Sequence, residues 1–140
     1  MFGANVNLLA VLVAGIVSTI IGGLWYSPLL FGNLWLKLNG ISLKQAKQMR
    51  KEGGSSCYVY GLIQGLVTAY VLGLFMYYTN VASIANGVFI SFWAWLGFVA
   101  TTQIGAVLWE KKPFGLFLIN ASHQLVSLVV MAIILVAWAI

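Results

Sequence analysis

The charged side chains of this chain occupy two short stretches and leave three long stretches without any. All the Lys, Arg and Glu residues fall within residues 37–52 and 110–112, and residues 1–36, 53–109 and 113–140 carry no charged side chain. Hydrocarbon surroundings favour so long an absence of charge. The hydrophobic fraction of 62% also exceeds the value of about 45–50% that is typical of soluble domains. The pattern predicts an all-α, polytopic membrane protein.

Four apolar runs are each long enough to cross a bilayer, which takes about 20 helical residues. They cover residues 6–26, 57–78, 88–109 and 114–138, so residues 1–140 are expected to form a single four-helix transmembrane domain. The connections 27–56 and 110–113 are basic, whereas 79–87 carries no charge. By the positive-inside rule, both basic connections are cytoplasmic and both termini lie outside the cytoplasm.

The first connection contains a shorter helical pattern. Ser42 and Gln45 form a capping-box pattern, and residues 43–52 are rich in helix formers before Gly53 and Gly54 offer a stop. We therefore expect a short cytoplasmic or interfacial helix between the first two spans. Its basic residues either serve only as topology signals or also contact lipid headgroups; they are Lys44, Lys47, Arg50 and Lys51.

Two parts of the sequence resemble each other at a shift of 82 to 85 positions. The pattern around Gly15 and Trp25 returns around Gly97 and Trp109. A true duplication would relate two helical hairpins in parallel about an axis along the membrane normal. Chance similarity is the alternative, because Gly, Val and Leu are frequent in any membrane protein.

Small residues recur at intervals of four on three of the spans. Such faces let helix backbones approach closely, either within one bundle or between copies. A bundle with several of these faces can close on itself and keep one for a neighbour. The residues are Gly15, Thr19 and Gly23 on the first span, Gly61 and Gly65 on the second, and Gly97, Thr101 and Gly105 on the third.

Polar side chains are expected at a common depth in the spans. Counted from the cytoplasmic ends at about 1.5 Å per residue, several lie roughly 9–14 Å inside the membrane boundary. They either hydrogen-bond one another to fix the bundle or line a path for protons or cations around the single histidine. The set is Thr19, Gln64, Gln103, Asn120, His123, Gln124 and, at the boundary, Glu110.

The residue inventory argues against an enzyme, a cofactor or a metal site. The chain has no Asp, and both Glu lie in the charged connections. One His and one Cys supply neither a catalytic set nor the three or four ligands of a zinc site. The chain has a net charge of +5. Its basic residues flank apolar spans and accompany no nucleic-acid-binding motif, so we expect no nucleic acid partner.

Several motifs together resemble a family of small bacterial and archaeal membrane proteins, domain of unknown function 1761. The most specific is Leu-Trp-Tyr-Ser-Pro-Leu-Leu-Phe-Gly at residues 24–32, and the others are Val6-Asn7, Trp35, Trp109-Glu110-Lys111-Lys112-Pro113 and Ile119-Asn120. Leu8 stands where this family often has Trp. The resemblance implies a four-helix protein of the prokaryotic inner membrane, and it brings no activity, substrate or catalytic residue.

Two classes of function follow from these features. The first is a structural or accessory role, in which the protein self-associates or serves as a subunit of a larger membrane assembly. The second is a channel or transporter, in which the polar residues around His123 line a path for protons, cations or a small solute. Four spans are few for a transporter acting alone, so both classes favour association, and we prefer the first.

Overall fold

The chain folds into five helices with no strand among residues 6–139, the part that the computed structural model describes; side chains are described for residues 6–138. The helices are α1 (Leu8–Trp25), α2 (Gly32–Leu38), α3 (Leu43–Tyr78), α4 (Ile84–Leu108) and α5 (Phe114–Ala139). All except α2 are long and apolar enough to cross a membrane. These four helices coincide with the four predicted spans, with ends that differ by a few residues except at the start of α3.

The helix predicted over residues 43–52 forms, but it is continuous with the second span. Its capping box is present: the Gln45 backbone N–H donates to Ser42 Oγ at 3.2 Å, and the Ser42 N–H donates to Gln45 Oε1 at 2.9 Å. Gly53 and Gly54 stay helical within α3, so the expectation that they end the helix was wrong. A helical glycine costs only about 1 kcal/mol, which is less than the cost of leaving backbone groups unpaired at two new helix ends.

A separate short helix does lie between α1 and α3, but it is α2, at Gly32–Leu38, and not the predicted segment 43–52. It follows a tight turn, and Gly32 lies against the backbone of Tyr26 and Ser27 so closely that a Cβ atom at this position would collide with it. At its other end, Leu38 reaches the start of α5, where a Cβ atom on Gly115 would lie 3.2 Å from the Leu38 Cδ1 atom. The turn thus folds α2 back over the bundle beside α5.

The long helices alternate in direction and are centred on α5. α1 packs between α3 and α5, and α4 packs mainly against α5. Residues 37–52 and 110–112, which contain all the charged side chains, lie at the same end of the bundle. We call it the basic end. The hydrophobic core lies in the other half and includes Val11, Ala14, Leu72, Leu128, Met131 and Leu135.

α4 is irregular in its second half. Residues Trp95–Ala100 form a π-helical turn, and the helix is interrupted again at Ile104 before the segment Gly105–Leu108. Of the most apolar 18-residue stretch of α4, 17% is buried, against 44% of the corresponding stretch of α5. α4 is therefore the most peripheral of the four long helices.

Candidate functional site: polar residues in the basic half

His123 lies on α5 beside the end of α1. Its ring centroid is 5.2 Å from that of Tyr26 and 6.1 Å from that of Trp25. A Cβ atom on Gly22 would lie 3.3 Å from His123 Nε2, so the glycine leaves room for the imidazole. Nε2 is 3.4 Å from Ser127 Oγ. Nδ1 is buried and has no hydrogen-bond partner among the described residues.

Three aromatic side chains donate hydrogen bonds to one short segment of α5. Tyr26 Oη donates to Asn120 Oδ1 at 2.7 Å, and Trp25 Nε1 donates to the Ile119 carbonyl at 3.0 Å. From the other side, Trp95 Nε1 donates to the Ala121 carbonyl at 2.7 Å. α1 and α4 are thereby tied to consecutive residues of the central helix.

A cavity of 120 Å³ opens between α1, α3 and α5, and we call it the histidine cavity. Four of the seven predicted polar residues line it: Thr19, Gln64, His123 and Gln124. The Thr19 hydroxyl already donates to the Gly15 carbonyl at 2.9 Å. Ser18, Thr68 and Ser127 add further hydroxyl groups to the wall, so seven of the twelve lining residues have polar side chains.

The remaining predicted polar residues lie on a neighbouring groove of 570 Å³ between α4 and α5, which we call the glutamate groove. Gln103, Asn120 and Glu110 line it together with Tyr26. Gln124 lines both the groove and the histidine cavity. The polar residues therefore occupy two adjoining spaces that share one side chain.

Both spaces can hold water. A water molecule needs a cavity volume of at least about 10–15 Å³ and two to four polar partners, and the histidine cavity exceeds this volume severalfold. His123 Nδ1 and Gln103 Oε1 are buried without a protein partner in the described part of the chain, and bound water commonly satisfies such atoms. The arrangement can bind water or a small polar solute. No group of three metal-ligating side chains occurs among the described residues.

The small-residue faces differ in their surroundings. At the crossing of α1 and α3, a Cβ atom on Gly15 would lie 2.6 Å from Leu66 Cδ2, and one on Gly65 would lie 2.7 Å from Ser18 Oγ. Gly23, Gly61 and Gly97 have open space instead, and a Cβ atom on Gly105 would approach only Trp109, the residue that follows α4. The predicted lipid-contacting residues are exposed at the start of α3: Lys44, Lys47, Arg50 and Lys51.

The structure also assigns roles to residues that the sequence analysis did not single out. Trp95 and Gly22 are examples, as are Ser18 and Ser127. A tryptophan in the middle of an apolar span is a usable signal, because a buried indole N–H generally needs an acceptor. Within the proposed repeat, Trp25 is partly buried and bonded to α5, whereas its counterpart Trp109 is 86% exposed.

Four long apolar helices, three of which surround a cavity lined by polar side chains, define a polytopic α-helical protein, consistent with integration into a membrane. A family model described as "Protein of unknown function (DUF1761)" matches residues 9–136. The chain belongs to this family, as the motifs at residues 24–32 and 109–120 indicated. No curated protein and no solved structure matches the chain.

Proposed function

We propose that the protein is a self-associating unit of the prokaryotic inner membrane, whose copies meet through α4. The observation that carries this proposal is the open small-residue face of that helix. Gly97 and Thr101 are both exposed, and a Cβ atom on Gly97 would meet nothing within 4 Å. α4 packs mainly against α5, so this face is free for another helix.

Membrane physics explains why such a face favours a protein neighbour. Lipid tails are as apolar as leucine, so close backbone packing, rather than hydrophobic burial, drives helices together. Gly97 allows that approach, and the Thr101 hydroxyl is satisfied by the Gly97 carbonyl at 2.6 Å. Gln64 of α3 is also exposed, beside the histidine cavity, and a polar group at this depth is stabilised when it faces protein or water.

The test is the effect of Gly97→Leu on oligomeric state in nanodiscs, measured by mass photometry or cross-linking. Gly23→Leu is the matched control, because Gly23 is also exposed with open space around it but lies on α1. We expect Gly97→Leu to reduce association and Gly23→Leu to leave it unchanged. A native protein that is monomeric in both nanodiscs and mild detergent would refute the proposal. If the native protein does not self-associate but co-purifies with a second protein, and Gly97→Leu releases that second protein, the role is instead that of an accessory subunit.

The proposed orientation places the basic end in the cytoplasm and both chain ends outside it. Lys44, Lys47, Arg50 and Lys51 are exposed at that end, and basic residues next to spans are retained on the cytoplasmic side. Residues 1–5 and 140 lie outside the described part of the chain. The orientation is inferred from α1, which runs towards the basic end, and from α5, which runs away from it.

Transport is the second candidate. It is favoured by the presence of a cavity or groove in each half of the bundle. The histidine cavity reaches Leu128 and Met131, whereas a groove of 840 Å³ at the opposite end reaches Met76 and Leu135. Met131 and Leu135 are one helical turn apart, about 6 Å. Both residues belong to the hydrophobic core, so a path between the two spaces would need these side chains to move.

A flux assay in proteoliposomes tests the transport candidate. A proton flux that is present in the native protein and absent in folded His123→Gln would favour transport, because glutamine cannot titrate. Equal, background-level flux in both proteins would count against it.

A further inference from the structure

A further space lies outside the polar sites, between α2 and the first turns of α3. This space, the α2–α3 groove, has a volume of 350 Å³, within the range of ligand pockets. Trp35 and Leu36 of α2 form one wall. The other wall is a stripe on α3 that includes Met49, Arg50 and Cys57.

The length of α3 locates this groove at the membrane surface. A helix of 36 residues is about 54 Å long, and the hydrocarbon core is about 30 Å thick. The charge-free part of α3 starts at Gly53, so the segment before it extends beyond the hydrocarbon. Arg50 lies three residues before Gly53, about 4.5 Å along the helix, which is within the headgroup layer of about 5–8 Å on each side of the hydrocarbon. The groove therefore runs from the edge of the hydrocarbon to the level of lipid phosphates.

The charges at the groove select for an anion. Arg50 is the only charged residue that lines it, and no carboxylate pairs with Arg50 within residues 6–138. The nearby carboxylate of Glu52 accepts instead from Gln48 Nε2 at 3.3 Å. Lys47 and Lys51, on neighbouring turns, are also exposed and add to the positive potential.

The geometry points to an anionic phospholipid as the occupant of the α2–α3 groove. The Arg50 guanidinium would bind the phosphate, because its planar fork matches phosphate oxygens. The glycerol and the upper acyl chain would lie along Trp35, Leu36 and Met49, with the tail directed past Cys57 into the bilayer. These apolar walls, continuous with the hydrocarbon, favour a lipid over a soluble anion.

The single cysteine provides a reporter of occupancy, because Cys57 lines the groove and is exposed. The experiment measures the rate of its alkylation by N-ethylmaleimide in phosphatidylglycerol and in phosphatidylcholine vesicles. We expect slower alkylation in phosphatidylglycerol. Inorganic phosphate added to phosphatidylcholine vesicles should give no protection, and protection there would overturn the lipid assignment in favour of a soluble anion.

Two variants with the same net charge separate a site from a general surface potential. Arg50→Gln should lose the protection, with at least about tenfold weaker retention of phosphatidylglycerol in native mass spectrometry, because a hydrogen bond to a charged group contributes about 1.5–3 kcal/mol. Lys111→Gln, which removes a basic residue at the same end of the bundle but does not line the groove, should keep the protection. Circular dichroism checks that both variants fold. Equal alkylation in the two lipids for the native protein, or equal protection in the two variants, would overturn the proposal.

Discussion

The crossing of α1 and α3 is the place where one methyl group should matter most. A Cβ atom on Gly65 would lie 2.7 Å from Ser18 Oγ and 3.2 Å from the Gly15 carbonyl oxygen. Ser18 cannot turn away freely, because it is buried and donates to that same carbonyl at 2.9 Å. We therefore expect Gly65→Ala to force the two helices apart. Gly61, one turn earlier on α3, has no atom within 4 Å of its Cβ position and provides the matched control.

The magnitude follows from packing alone. Overfilling a well-packed site costs about 1–3 kcal/mol. Alanine has a higher helix propensity than glycine, but this difference largely cancels between the folded and unfolded states, because a segment in hydrocarbon is helical in both. Gly65→Ala should thus lower the free energy of unfolding by about 1–3 kcal/mol, and Gly61→Ala should leave it almost unchanged.

The assay is reversible unfolding in mixed micelles with increasing dodecyl sulfate, followed by tryptophan fluorescence. A double variant, Gly65→Ala with Ser18→Gly, should recover part of the loss because it removes the nearest atom. If Gly65→Ala and Gly61→Ala unfold at the same detergent fraction, the close packing of α1 against α3 is not what holds this half of the bundle, and the argument fails.

Three further predictions concern orientation and hydrogen bonding. A cysteine in place of Ser55, in a Cys57→Ser background, should resist an impermeant reagent applied outside intact cells, because residue 55 lies in the cytoplasm in the proposed orientation. Modification of this cysteine would show that the orientation is the opposite one. His123→Leu removes the polar partner of Ser127 and of water in the histidine cavity and should lower the free energy of unfolding by about 1 kcal/mol. His123→Gln keeps a hydrogen-bonding group and should match the native protein, as detergent unfolding can show. Trp95→Phe removes the donor to the Ala121 carbonyl and should cost about 0.6–1.7 kcal/mol, and a native-like unfolding midpoint would show that this bond contributes nothing.

The sequence by itself determined the class and the chain path. A charge-free run of about 20 residues is stable as a spanning helix in hydrocarbon, because every backbone group must then be paired within the helix. Four such runs predicted α1, α3, α4 and α5, and the Ser42 and Gln45 pair predicted the start of α3, because these are local properties of the chain.

Tertiary structure decided which of the candidate residues meet. Gly15 and Gly97 have the same local pattern, but only Gly15 lies against another helix, since α1 is between two neighbours and α4 is at the edge. The polar residues were predicted as one layer, and they line two adjoining spaces because α5 separates α3 from α4. Spacing along a helix specifies a face and a depth, but the partner of that face depends on how all four helices pack.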